Sequence, residues 1–355
     1  MILGHKYEVV VVGAGPAGLM AARELAKQNI DYLLIDRKKE IGLPLKCAEG
    51  VREKEFYEIF GEGQYDFIRN RVHRHEVIYE EVKRVFYADF LQISRPDFEK
   101  WLGRGLVIEL ECVCEDIFVK SDRVEITTSR GKVSAEIVIM CSGCNYELLK
   151  NSTLVRKISR TIPAFGGLYK NHGLDPSAFY YYYDKDYLGY FWIFPKNKDV
   201  ASIGFGGIPA WPWHQANIGA ILKKFLAKYG INPELVQNYG GPIPCSGPVK
   251  RPYSDRLLLA GDAAGFVVAM SGEGILYALK SGRYAARSAA GALKNKRFDN
   301  RSLMIYGKVC DDDFGRRMKN GIISYRLFTL ACRSGILKYA IKNVSVKKVK
   351  DLIMD

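Results

Sequence analysis

At 355 residues the chain has room for one large domain or two interlocked ones, with 48% apolar and 26% charged residues in ordinary globular proportion. Its formal net charge of +14 points to an anionic partner: a nucleotide, nucleic acid or an acidic membrane surface. No run of about 18 apolar residues is present, so no transmembrane helix is expected.

The N-terminus runs directly into a strand pattern without a signal-peptide layout, which predicts a cytoplasmic protein with mostly free thiols. Residues 7–12 form a β-branched run typical of a strand buried on both faces. A helix is expected over 16–28, a parallel strand over 32–35 and a further helix over 51–60. Residues 72–88 alternate as short strands. "SRPDFEKWL" reads as a helix start, with Ser94 at the N-cap. Several strands follow over 106–140, and aromatic, alternating strand patterns dominate 162–206. Then come a helix over 217–228, a strand over 256–259, a long helix over 272–292 and a mostly helical tail over 300–350. The order predicts an α/β class: a Rossmann-like domain interrupted by an antiparallel β-sheet domain, with a helical C-terminal tail. The expected division is 1–71, 86–148 and 246–296 for the nucleotide domain, 72–85 and 149–245 for the substrate domain, and 297–355 for the tail.

"VVVVGAGPAGLMAARELAKQNIDYLLIDR" carries Gly13, Gly15 and Gly18 between a strand and a helix. Gly13 permits the tight turn. Gly15 lets the backbone approach a pyrophosphate at the helix N-terminus, with Pro16 and Ala17 beside it. Gly18 allows close helix–strand packing, and Asp36, followed by Arg37, stands where a carboxylate accepts hydrogen bonds from ribose hydroxyls. Cys141 and Cys144 have zinc-like spacing, but no second such pair follows, so no metal site is expected. The basic charge comes without a nucleic-acid-binding module.

"RLLLAGDAAGFVVAMSGEGILYALKSG" resembles the FAD signature of glutathione-reductase-type and hydroxylase-like flavoproteins. The resemblance implies that Gly261 and Asp262 meet the ribityl chain. It implies that Arg95, in "ISRPDF", lies near the flavin's phosphate or ribityl part. The helix start at Gly272, Glu273, Gly274 and Ile275 would aim its amides at the negative charge of a reduced flavin.

"GYFWIFP" is similar to the YxWxFP pattern of the geranylgeranyl reductase family, at Tyr190, Trp192, Phe194 and Pro195. "KCAEG" is similar to its Cys-x-x-Gly, at Cys47 and Gly50. The resemblance covers roughly residues 8–295. The chain departs from it at Ala269, where the family commonly has proline. Where hydroxylases carry an acid, it has Ser142. The resemblance implies an FAD-dependent reductase that saturates polyprenyl chains of isoprenoid ether lipids. It also implies an electron donor such as NAD(P)H or ferredoxin and a prenylated lipid substrate. Tyr190, Trp192 and Phe194 would form one face of a strand and the wall of a prenyl pocket, with Cys47 near the flavin and Cys47, Tyr190 or water as proton donor. Alternatives from the same fold are a flavin monooxygenase or halogenase, an electron-transfer flavoprotein and a flavin-bearing lipid carrier without turnover. In the tail, residues 314–350 hold ten basic residues, no acid and many interleaved apolar ones, the pattern of a segment lying on an anionic membrane surface. Cys310 and Cys332 could close a disulfide there, free thiols being the default.

Overall fold

The computed structural model describes residues 5–149, 161–209, 217–343 and 345. The chain starts with β1 (Lys6–Val12), α1 (Pro16–Lys27), β2 (Tyr32–Ile35), β3 (Gly50–Arg52), α2 (Glu53–Phe60), β4 (Ile68–Tyr79), β5 (Val82–Ile93) and α3 (Arg95–Leu102). It continues through β6 (Ile108–Glu109), β7 (Cys114–Val119), β8 (Val124–Thr128), β9 (Gly131–Met140), β10 (Thr161–Lys170), β11 (Ala178–Tyr183), β12 (Tyr187–Pro195) and β13 (Val200–Pro209). Next are α4 (Ile218–Lys228), β14 (Glu234–Pro244), β15 (Tyr253–Ser254), β16 (Leu257–Leu259), α5 (Ile275–Asn295), α6 (Asn300–Cys310), α7 (Arg316–Arg333) and α8 (Leu337–Asn343).

Two sheets result. The first has the order β15-β16-β9-β1-β2-β6, with the β7–β8 hairpin added on β9. Its central strands β16, β9, β1, β2 and β6 are parallel. Val9, Val10 and Val11 are fully buried, with α1 packed on the strand, which is why β1 reads as an unbroken apolar run. The second has the order β14-β10-β13-β12-β11-β4-β5-β3 and is antiparallel except where β11 meets β4 in parallel. β4 and β5 run through residues 72 and 86, so two of the expected domain boundaries, at 71/72 and 85/86, fall inside strands of this sheet.

Local signals differ from the sequence reading in two places. Ser94 takes the N-cap position of α3, but its hydroxyl donates to the Asp97 carboxylate at 2.5 Å rather than capping a backbone amide. α5 begins at Ile275, not Gly272, because Gly272 sits at φ 73°, outside helical space. Cys310 and Cys332 are free thiols. They are held in separate cores, Cys310 under the first sheet and Cys332 against the second, so the default of free thiols holds and the alternative of a disulfide does not. No helix among the described residues is long and apolar enough to cross a membrane.

Candidate active site

One cavity of about 910 Å3 is lined from both sheets. It receives Gly13, Gly15, Pro16, Ala17, Asp36, Arg37, Cys47, Arg95, Tyr190, Trp192, Phe194, Gly261, Asp262, Gly272, Glu273, Gly274 and Ile275. Of the residues expected to bind the cofactor or take part in catalysis, Gly18 alone lies behind the wall.

The glycines do three different jobs. Gly13 sits at φ 107°, and a Cβ there would lie 2.3 Å from the Cys141 carbonyl oxygen. At Gly18 a Cβ would lie 1.8 Å from the Gly13 carbonyl oxygen, so the helix closes on the strand through that position. Gly15 is unlike both. A Cβ there meets no protein atom within 4 Å, and φ −89° with ψ −172° suits any residue. Packing therefore does not explain this glycine. The open space over the α1 N-terminus fits a pyrophosphate.

Asp36 ends β2 and closes the same turn, its Oδ2 accepting from the Ala14 amide at 2.5 Å and its Oδ1 from the Lys38 amide at 2.8 Å. The carboxylate, also 4.0 Å from Lys38 Nζ, lines the cavity where ribose hydroxyls could reach it. Arg37 is exposed at the rim.

At the other end, Gly261 at φ 62° turns the chain out of β16, and the Tyr146 hydroxyl donates to the Asp262 carbonyl at 3.1 Å. Burial raises the Asp262 carboxyl above the usual carboxylate range, with the Arg95 guanidinium opposing. Gly274 caps α5 without a side-chain hydrogen bond, leaving amides at the cavity wall. Glu273 does not compete for them, because Arg52 Nε holds its Oε2 at 2.8 Å. Two phosphate- and sugar-sized ends joined by one cavity of this volume fit an FAD molecule.

β12 supplies the remaining wall. Phe179 stacks on Phe194 at 4.3 Å between ring centroids, and Tyr181 lies 5.7 Å from Tyr190. The Tyr190 hydroxyl donates to the Ser271 carbonyl at 2.5 Å, and Trp192 Nε1 donates to Ser202 Oγ at 3.1 Å, with Ser202 in turn bonded to Tyr239. Phe191 and Ile193 face the opposite way, into a separate core against α4.

Cys47 lines the same cavity. Burial pushes its thiol up, with the Arg95 charge opposing, and its Sγ accepts the Glu49 amide at 3.2 Å. Glu49 was missed by sequence reasoning. It is buried at φ 71°, pairs with Lys196 Nζ at 2.6 Å and accepts the Arg95 amide at 2.7 Å. Arg95 itself is turned to Glu99, at 2.7 Å. The overlooked signals were single charges in unpromising company: Glu49 inside "KCAEG", and Lys196 directly after Phe194-Pro195.

Comparison with known proteins agrees with this geometry. Residues 6–51 match the FAD binding domain family. The chain is 30% identical to digeranylgeranylglycerophospholipid reductase 2 of Methanopyrus kandleri over 91% of its own length and 87% of the relative's. In fold it is similar to a geranylgeranyl bacteriochlorophyll reductase-like protein of Thermoplasma acidophilum, with a TM-score of 0.87 at 23% identity over 99% and 96% of the two chains. A flavin-dependent brominase shares the fold less closely, with a TM-score of 0.70 at 18% identity over 98% and 93%.

Proposed function

The chain belongs to the digeranylgeranylglycerophospholipid reductase family, and from that premise we propose that it saturates isolated double bonds of geranylgeranyl chains in isoprenoid ether lipids. Its cofactor is FAD. The observation that carries the substrate class is the aromatic wall of Tyr190, Trp192, Phe194, Phe179 and Tyr181 on the same cavity as the glycine loops.

FAD, bound and reduced by the electron donor, would supply the hydride for one alkene carbon. The protein supplies the rest. Gly13, Gly15 and the α1 N-terminus hold the pyrophosphate, Asp36 the ribose and Asp262 the ribityl chain. Arg37, Gly261, Gly272, Glu273 and Ile275 complete the enclosure. The α5 N-terminus favours negative charge beside it. An unactivated trisubstituted alkene accepts hydride poorly until it is protonated. The Cys47 S–H is suited to give that proton: burial keeps the thiol neutral, whereas the Tyr190 hydroxyl proton is committed to Ser271. Cys47 would give its proton to the less substituted carbon as the other carbon takes the hydride, and once the saturated chain has left, a solvent proton would return to the thiolate beside Arg95. Ring faces attract the developing cation by about 0.5–2 kcal/mol each without offering a nucleophile. They also exclude the water that would trap it. NAD(P)H or ferredoxin as electron donor, and an anionic membrane surface as the source of substrate, belong to the same proposal.

The test is anaerobic. Dithionite-reduced enzyme is mixed with digeranylgeranylglycerophospholipid, and flavin reoxidation is followed together with the lipid's mass. Reoxidation matched by one added hydrogen pair per double bond is expected. Unchanged lipid ends the proposal, and a product that requires oxygen moves the chain to the monooxygenase and halogenase class.

A further inference from the structure

The cavity explains where a prenyl chain reacts and leaves the α7–α8 hairpin without a task. One side of α7 is committed to packing: Met318, Gly321, Phe328 and Cys332 are buried, and Phe328 meets Tyr183 at 5.3 Å between rings. The other side is not. Ile323, Leu327 and Leu330 are 55%, 54% and 64% exposed, and Ile336 and Tyr339 beyond them are 54% and 72% exposed. The spacing of the first three puts them on one face of the helix. The expectation for the tail thus divides: Phe328, Leu337 and Ile341 pack on the second sheet, and these five stand in solvent.

The charge carried by the segment itself has one sign. Residues 314–350 contain no Asp or Glu. Lys319 pairs with Asp311 at 3.2 Å, and Lys338 pairs with Glu80 and Glu81 at 2.9 and 2.6 Å. Exposed Arg326, Arg333 and Lys342 have no ion pair among the described residues. Lys347, Lys348 and Lys350 lie outside them. An apolar stripe flanked by unpaired cations matches an anionic lipid surface, and two copies of it would repel one another.

Directly behind α7 lies a small void of about 40 Å3, with Tyr325 and Phe328 on one side and Gly189, Gly206 and Trp192 on the other. It shares Tyr190 and Trp192 with the large cavity. At Gly206 a Cβ would have nothing closer than 3.7 Å.

We infer that the α7–α8 hairpin seats in the surface of an anionic bilayer and passes the prenyl chain into the cavity through the seam between α7 and the second sheet. The inference rests on the lipid-reductase reading, and its test separates the two. The FAD-loaded enzyme is sedimented with phosphatidylglycerol vesicles and with phosphatidylcholine vesicles. Binding to the first at 0.1 M salt is expected. So are release at 1 M, where the Debye length shrinks from about 10 to about 3 Å, and no binding to the second. Leu327→Asp with Leu330→Asp should weaken the partition about a hundredfold, each leucine contributing about tenfold. FAD content and the rate on detergent-dispersed lipid should stay unchanged. Gly206→Leu should keep vesicle binding and slow reduction of vesicle-embedded lipid by about tenfold or more, the size of one misfit side chain in a tight channel. Equal vesicle binding by wild type and the leucine variant overturns the docking face. So does a wild-type dimer that the leucine variant dissociates, which would make a second copy the occupant. Wild-type turnover by Gly206→Leu on vesicles overturns the seam. Failure of the wild type on dispersed lipid strikes the reductase reading instead.

Discussion

Replacing Gly15 by valine separates the space kept for the cofactor from the packing of the protein itself. A Cβ at Gly15 meets no protein atom within 4 Å, and the backbone already lies in the extended region that valine favours. The apo chain should therefore tolerate the change. By removing glycine's freedom in the unfolded state it should gain stability of the order of 0.4–1 kcal/mol. The valine methyls fill the space over the α1 N-terminus. In the wild type, FAD at about a hundred times its dissociation constant should add about 2.7 kcal/mol of stability, and the variant should lose that increment. Gly18→Ala is the matched control. Its Cβ would lie 1.8 Å from a backbone oxygen, so the apo chain itself should lose about 1–3 kcal/mol. Urea unfolding of apo protein with and without added FAD reads both quantities. A Gly15→Val chain that keeps the full FAD increment, or one destabilised without FAD as much as Gly18→Ala, refutes the argument that this space belongs to the cofactor.

Trp192→Phe keeps a ring in the wall but removes the donor to Ser202. It should slow lipid reduction far more than flavin reduction by dithionite, and parallel losses that track melting temperature would make Trp192 a core residue only. Cys47→Ala should lower the alkene reduction rate by about 10²–10⁴ while dithionite still reduces the flavin; an unchanged rate in single-turnover mixing removes Cys47 as proton donor. Lys196→Met leaves the Glu49 carboxylate buried without its cation and should cost about 3–5 kcal/mol, most of it recovered when Glu49→Gln is added; additive losses in the double variant contradict a coupled pair. Burial pushes the Cys114, Cys144, Cys310 and Cys332 thiols up to about 12. The folded chain then holds protons that the unfolded chain releases above pH 9, so stability is full below that pH and falls toward pH 12. Urea unfolding between pH 8 and 10.5 should show the decline, and denaturing, non-reducing thiol titration should find all eight cysteines free.

What could be read from the sequence was whatever one short segment decides for itself. β1 and β2 announce themselves because both faces are buried. The glycine turn does so because Gly13 and Gly18 have backbone atoms within reach of any Cβ. The same logic explains α5: its glycine loop marked the place, but the positive φ at Gly272 moved the start to Ile275. What was hidden needed two distant segments. The parallel pairing of Ala178–Tyr183 with β4 depends on a register set across the whole substrate sheet. The Glu49–Lys196 pair joins a loop after β2 to the end of β12, and neither residue has a local reason to be charged. Cys310 and Cys332 are close in sequence yet belong to different cores.

β12 also shows how one strand can be core and pocket at once. Its alternation sends Phe191 and Ile193 into the core over α4 and Tyr190, Trp192 and Phe194 to the cavity, so composition alone cannot distinguish the two uses. The polar atoms decide. Tyr190 and Trp192 carry the only hydrogen-bonding groups among those three side chains, and both are engaged inside the protein, with Ser271 and Ser202. A buried hydroxyl or indole N–H costs free energy unless it is bonded, so these two are held in place by their own partners. They then offer only ring faces to whatever fills the cavity. A sugar or a peptide would find few donors or acceptors on that wall. A prenyl chain needs none and loses no hydrogen bond on binding, and the three ring faces themselves offer a cationic carbon no nucleophile.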